Sequence, residues 1–428
     1  MRLSEFRRAG HTPTLVASLL HFDVSFLCWV LLGALSIPIS TSLGLSDGQT
    51  GLMVAIPALS AAVFRVTIGQ LVDRIGPRRI GIGMLAFGFV PLLLAWQWGT
   101  SFPSVLLIGV LLGLAGASFV VSLPMASRWY PPKFQGLAMG IAGAGNSGTV
   151  IATFFAPRLA EHCSAVDAGT GKRVPLAQCA PADVAGWFSW HEVFALAMLP
   201  VALVLLTFII FAREAPKPPG ASTAVPFSQL IRDRDVWRLC GFYAVTFGFF
   251  LGLTTFGPKY LNSEYAVSQV TAGTWIAIGA LGGSLMRPFG GTLADRIGGT
   301  RVLLMVYAIA ALLFTGLALT RTALGIELLL VLTIATLGFG NGAVFQLVGL
   351  RYSGRHVGAV TGLVGACGGL GGFLLPILLG YGKDLTGSFA APLGLVAALA
   401  LAALAGMVVS RAHWRRGWTT ATEAGVRI

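Results

Sequence analysis

Apolar positions along the 428 residues gather into twelve long runs separated by short polar, glycine or proline breaks. The runs cover residues 14–40, 49–71, 80–98, 103–127, 135–157, 190–211, 236–260, 268–292, 301–320, 323–347, 357–381 and 389–410. Several exceed the roughly 18 residues that cross a hydrocarbon core of about 30 Å. Backbone groups left unpaired in lipid are costly, so each run is predicted to be a helix. Residues 212–235, AREAPKPPGASTAVPFSQLIRDRD, are Pro-rich and charged and read as a linker, with six runs on either side. The predicted fold is an all-α membrane protein of twelve transmembrane helices in two pseudo-symmetric bundles. Its parts are an N-terminal tail (1–13), a six-helix bundle (14–211), the linker (212–235), a second bundle (236–410) and a C-terminal tail (411–428).

Composition agrees with that pattern and excludes a soluble enzyme. Hydrophobic residues make up 55% and charged residues 11%, against about 25% charged in soluble chains. The net charge of +13 invites a nucleic-acid reading, but the placement of the cations explains it better. With the N-terminus inside, the inside segments hold 21 Lys and Arg, the outside loops 6, and the spans themselves two, Arg65 and Arg287. Lys and Arg concentrate on the cytoplasmic side of membrane proteins, so both termini are expected there, in the cytoplasmic membrane. The basic start MRLSEFRRAGHTPT precedes an apolar run too long for a cleaved signal peptide and reads as a tail. Of five cysteines, Cys28, Cys240 and Cys367 fall inside spans, whereas Cys163 and Cys179 share one polar loop and can form a disulfide if that loop is extracytoplasmic. No metal-ligand spacing appears, and no cofactor is expected.

The two halves repeat one another. GQLVDRIGPRR (69–79) matches GGTLADRIGGTR (290–301), with Asp73 and Asp295 222 residues apart. The same shift relates Arg65 to Arg287, Gly136 to Gly358, Gly140 to Gly362 and Gly143 to Gly365. A single register across four helices implies a duplicated six-helix unit in parallel arrangement.

The intramembrane arginines are the sharpest chemical signal. A charge at the bilayer centre costs at least about 2.5–3.5 kcal/mol and is retained where it meets a partner or an aqueous path. Asp23 is the one carboxylate well inside a span, too few anions for two buried salt bridges. Two cations at equivalent positions therefore point to an anion site between the halves. Guanidinium is planar, always charged and forked, matching planar oxyanions such as nitrate and nitrite.

The run GLAMGIAGAGNSG (136–148) places Gly140, Gly143, Gly145 and Gly148 along one helix, and Asn146 adds an amide able to donate to an anion. GAVTGLVGACGGLGG (358–372) carries Gly362, Gly365 and Gly368 in the second half. Such glycines let helices approach closely. Gly143, Gly145 and Gly148 also spell GxGxxG, but inside an apolar helix with no preceding strand, which excludes a dinucleotide site.

The segments ASFVVSLPMASRWYPPKFQGLAMGIAGAGNSG (117–148), FYAVTFGFF (242–250), GFGNGAVFQLV (338–348) and GLVGACGGLGGFLLP (362–376) resemble the nitrate/nitrite porter family of the major facilitator superfamily. The resemblance implies a secondary transporter and not an enzyme, with Arg65 and Arg287 holding the anion. It also implies Asn146, Phe119, Tyr243 and Phe345 around the anion, with Phe22 or Phe26 from helix 1. It further implies a cytoplasmic latch at Asp73, Arg74, Asp295 and Arg296. Helix 1, HFDVSFLCWVLLG, and helix 2, GLMVAIPALSAAVFR, resemble the proton-coupled uptake branch more than the exchangers. Two arginines leave the empty site with a charge costly to occlude, which favours exchange of nitrate for nitrite. Proton-coupled uptake needs a further titratable group, for which Asp23, beside His21, is the candidate. A transporter of another small anion, such as a carboxylate, is the remaining alternative. Expected partners are nitrate, nitrite, protons and the bilayer; nucleic acid is not expected, and nothing requires more than a monomer.

Overall fold

The computed structural model describes residues 3–131, 138–139, 141–160, 164–166, 173–175, 188–215, 231–352 and 357–418. Gly140, Cys163, Cys179, the side chain of Asp73 and residues 216–230 of the linker lie outside the described residues.

The apolar runs are helices. Span 1 comes in three pieces, Thr12–Trp29, Leu31–Ala34 and Ser36–Leu43. Span 2 is Asp47–Ile75, span 3 Pro77–Trp98, span 6 Trp190–Phe211 and span 8 Gln269–Ile297. Spans 9 to 12 are Gly299–Leu319, Ala323–Arg351, Val357–Thr386 and Ala390–Gly417. Span 4 runs Phe102–Leu112, passes a 3-10 turn at Ala115–Ala117 and resumes at Phe119–Ser127. The described part of span 5 includes a 3-10 turn, Ala144–Ser147, and the helix Gly148–Leu159. Span 7 is Arg234–Tyr243, a π-helical turn at Ala244–Gly248, and Phe249–Tyr265. Among the described residues nine of these helices are long and apolar enough to cross a membrane. A further short helix, Leu3–Ala9, lies in the predicted N-terminal tail, and span 12 continues past residue 410.

Local chemistry sets the helix ends. Ser46 and Gln49 form a capping box at the start of span 2, and Ser189 and Glu192 do so for span 6, satisfying otherwise orphaned amides. The repeated DRIG tetrapeptide has a local cause as well. Gly76 and Gly298 end spans 2 and 8 at φ 103° and 99°, backbone that only glycine adopts without strain.

The halves meet at the end of the bundle opposite the chain termini. A Cβ on Gly51 would come within 2.4 Å of the Pro376 carbonyl, one on Gly380 within 2.3 Å of the Asp47 carbonyl, and one on Gly273 within 2.5 Å of the Thr153 carbonyl. Spans 2 and 11 stay together as far as Arg65 and Gly365 and then separate. One turn nearer the termini, a Cβ added to Gly69 or Gly362 would meet no atom of the described residues within 4 Å. Among the described residues the halves are thus in close contact at the end away from the termini and less so toward the termini. A Cβ on Gly143 would meet Leu123 at 3.7 Å.

Candidate functional site

Arg65 projects from span 2 and is 3% exposed. Its Nε and Nη2 donate to the carbonyl of Gly116 at 3.1 and 3.0 Å, and its Nη1 donates to the carbonyl of Gly365 in span 11. Gly116 lies in the 3-10 turn of span 4, and its missing side chain admits the indole of Trp29, 2.4 Å from where a Cβ would stand. That indole donates to the Pro57 carbonyl at 2.9 Å. The Arg65 guanidinium carbon lies 5.3 Å from the Trp29 ring centre, 5.0 Å from Phe119 and 5.9 Å from Phe247.

Arg287 approaches from span 8. Its guanidinium carbon is 5.5 Å from the centre of Phe247 and 5.9 Å from Phe250. Its Nε and Nη2 are shielded from solvent and have no hydrogen-bond partner among the described residues. Both arginines therefore rest on one ring, and their guanidinium carbons can be no farther apart than the two distances to Phe247 combined. Neither forms an ion pair with a carboxylate among the described residues.

The π turn of span 7 arranges that ring. Such turns insert an extra residue and often mark functional sites. Here Tyr243 precedes the turn and Phe247 lies within it, the two rings stacked at 5.1 Å and 1°. The Phe242 carbonyl accepts from Thr246 Oγ1 at 3.3 Å and from the Tyr307 hydroxyl at 3.0 Å. Glycines of span 11 make room: a Cβ on Gly368 would strike Tyr243 at 2.6 Å, and one on Gly371 the Ala244 carbonyl at 2.1 Å. Phe345 meets Tyr243 edge-on at 4.9 Å.

Of the residues expected at the site, Arg65, Arg287, Phe119, Tyr243 and Phe345 come together. Asn146 reaches it indirectly. Its Nδ2 donates to Ser284 Oγ at 3.1 Å, one turn before Arg287, and its Oδ1 is buried without a partner among the described residues. Among the described residues no cation–π contact joins Phe22 or Phe26 to Arg65. They stack edge-on with one another at 4.5 Å, and Phe26 packs on Trp29 at 4.8 Å, so Trp29 is the helix-1 aromatic that faces the guanidinium. Trp29 and Phe247 carry no sequence signal of their own in an apolar chain with 27 Phe and 10 Trp. Only the fold singles them out.

Asp23 takes a hydrogen bond from Ser147 Oγ at 2.6 Å, and no ion pair joins it to either arginine among the described residues. His21 is fully buried, bonded to Ser122 Oγ at 3.0 Å and packed on Phe208. Gly145 and Gly148 pack on the backbone of span 1 around Asp23, where a Cβ on Gly148 would lie 1.9 Å from the Asp23 carbonyl. Gly365 faces the Phe119 ring, where an added Cβ would lie 2.9 Å from Cζ. Arg74, Asp295 and Arg296 are exposed at the end near the termini, and Arg74 and Asp295 enter no ion pair among the described residues. Cys28 and Cys240 are buried and Cys367 half-buried, all as free thiols.

The Major Facilitator Superfamily profile matches residues 17–376. This chain belongs to the major facilitator superfamily. A "Probable nitrate/nitrite transporter NarK2" of Mycobacterium tuberculosis is 33% identical over 380 residues, covering 88% of this chain and 90% of that protein. A "Nitrite extrusion protein" of Bacillus subtilis is 30% identical over 403 residues, 93% of each chain. A "Probable nitrate/nitrite antiporter NarK1" of Thermus thermophilus is 32% identical over 406 residues, covering 90% of this chain and 88% of that one. Among solved structures, a bacterial homologue of the human lysosomal transporter Spinster superposes with a TM-score of 0.68 at 19% identity, covering 96% of this chain and 98% of that one. That likeness concerns the fold. The superfamily is one of transporters, and this chain is a multi-pass membrane transporter rather than an enzyme.

Proposed function

We propose that this chain carries nitrate and nitrite across the cytoplasmic membrane by alternating access, with both termini cytoplasmic. The observation that carries the reading is the pair of guanidiniums, one from each half, over the single ring of Phe247. Flat aromatic walls suit a planar ion, exclude water and strengthen the arginine contacts by lowering the local dielectric. Relatives named for nitrate and nitrite support the same cargo. Phe119, Tyr243 and Phe345 complete the walls, and Asn146 braces span 5 against span 8 beside Arg287. Asp73, Arg74, Asp295 and Arg296 serve as the latch when the cytoplasmic end closes. Uptake into liposomes holding purified protein, with nitrate, nitrite, formate and oxalate as competitors, tests the cargo. Inhibition by formate or oxalate equal to that by nitrate would reject it.

For coupling, the first reading is proton-linked nitrate uptake through Asp23. Asp23→Asn then keeps nitrate/nitrite exchange and loses pH-driven uptake; unchanged proton dependence rejects the role. The second reading, obligatory exchange, draws support from the absence of a carboxylate partner for either guanidinium among the described residues. An empty site that keeps both positive charges is costly to occlude, so the carrier returns loaded.

A further inference from the structure

Asn341 lies in the middle of span 10 and is fully buried. Neither its Nδ2 nor its Oδ1 has a hydrogen-bond partner among the described residues. An amide buried this way is destabilising compared with an apolar side chain of the same shape. In a membrane helix such a residue marks a contact made with something else.

The duplication indicates where that contact is. The 222-residue shift that relates Arg65 to Arg287 also governs how spans 2 and 4 pack compared with spans 8 and 10. In the first half Gly113 packs on Ser60, and in the second Gly282 packs on Ala335, the equivalent positions. By the same register Asn341 is the counterpart of Phe119, whose ring lies 5.0 Å from the Arg65 guanidinium carbon. Span 10 is held against Arg287 itself: a Cβ on Gly342 would stand 2.1 Å from the Arg287 carbonyl. One helical turn beyond Asn341, Phe345 meets Tyr243. Where the first half has a phenyl ring over its arginine, the second has an amide at the equivalent position of span 10, and Arg287 has two shielded donors with no partner among the described residues.

We propose that Asn341 is an anion-contacting residue of the transport site. Its Nδ2 donates to an oxygen of the bound oxyanion, and its Oδ1 accepts from the Arg287 guanidinium and holds it toward the ion. The two halves of the site are then unequal. Arg65 is already committed to the Gly116 and Gly365 carbonyls and acts as a fixed wall, while Arg287 and Asn341 form the side that grips and releases. This inference rests on the two-arginine reading of the site.

The test is nitrate transport by full-length protein in liposomes, with melting temperature measured alongside, for wild type, Asn341→Leu, Asn341→Ala and Arg287→Lys. Asn341→Leu is expected to melt at or above the wild-type temperature, because an unpaired amide has been replaced by an apolar side chain of similar volume. Its KM for nitrate should rise roughly tenfold, the loss of one hydrogen bond to a charged group. A purely structural Asn341 gives the opposite result, a lower melting temperature at unchanged KM, and overturns the proposal. If the leucine variant does not insert, Asn341→Ala is read by the same two measurements. Loss of nitrate transport in Arg287→Lys with wild-type KM in the Asn341 variants sinks the role of Asn341 alone. Wild-type KM in Arg287→Lys sinks the two-arginine site beneath it.

Discussion

Arg65 and Arg287 stand over the same phenyl ring, that of Phe247, at 5.9 and 5.5 Å, although they come from opposite halves of a duplicated chain. Their surroundings differ. Arg65 is tied to two backbone carbonyls, and two buried donors of Arg287 have no partner among the described residues. Lysine keeps the charge and loses the fork, so the two substitutions separate these roles. Arg287→Lys should weaken nitrate binding by about 1.5–3 kcal/mol, roughly 10- to 100-fold, with little change in melting temperature. Arg65→Lys should weaken binding and also lower the melting temperature, because the Gly116 and Gly365 carbonyls lose their donors. Nitrate titration and thermal unfolding of both purified variants check the difference.

Phe247→Ala removes the surface both guanidiniums share. Truncating a packed phenylalanine costs about 3–5 kcal/mol in a core, and the stack on Tyr243 at 5.1 Å goes with it. The expected outcome is loss of nitrate transport, with Phe247→Tyr restoring most of it because the ring remains. Initial uptake rates in liposomes measure both.

The end away from the termini is held by polar contacts across the halves. Asp47 lies 3.3 Å from Lys259 Nζ and accepts from Ser263 Oγ at 2.9 Å. Asp384 accepts from Ser46 Oγ at 2.7 Å and from the Gly48 amide at 2.9 Å, placing a carboxylate at the N-terminus of span 2, where the helix dipole favours it. The double variant Asp47→Asn, Asp384→Asn should shift the population toward opening at this end. Spin labels at Thr41 and Leu385 should report a longer distance than in the otherwise wild-type protein.

Stability should also respond to pH at the start of span 1. His11 Nδ1 accepts from the Thr14 amide at 3.2 Å and so caps the helix in its neutral form. Burial, and after it the charge of Arg213, holds the imidazole below its ordinary value of 6.5. A histidine whose folded pKa is depressed contributes stability that is present above 6.5 and is lost as pH falls through the folded value. His11→Asn keeps a cap acceptor that does not titrate. The difference in melting temperature between wild type and this variant should change as pH falls below 6.5, and should be constant above it.

The twelve spans, the duplication and the two arginines were legible in the sequence because each rests on a strong local signal: length of apolar run, repeated spacing, charge in an apolar setting. The repeated glycines Gly76 and Gly298 were legible as a motif, and the fold supplies their cause in positive φ. Trp29 and Phe247 were not legible, because an aromatic residue in an apolar helix looks the same whether it faces lipid, core or guanidinium. The breaks in span 1 and the π turn in span 7 were hidden for a related reason. Beside them Gly116 packs on Trp29 and Gly371 on Ala244, contacts that join distant segments. Asp23 was legible as a carboxylate inside a span, but its partner Ser147, on a different helix, was not.

The central claim is that Arg65 and Arg287 grip one anion together, and calorimetric titration of nitrate into the purified protein tests it most directly. The account predicts one nitrate per chain, with binding weakened roughly tenfold or more in Arg65→Lys and in Arg287→Lys alike. Two independent nitrates per chain, or either variant binding with wild-type affinity, would contradict it.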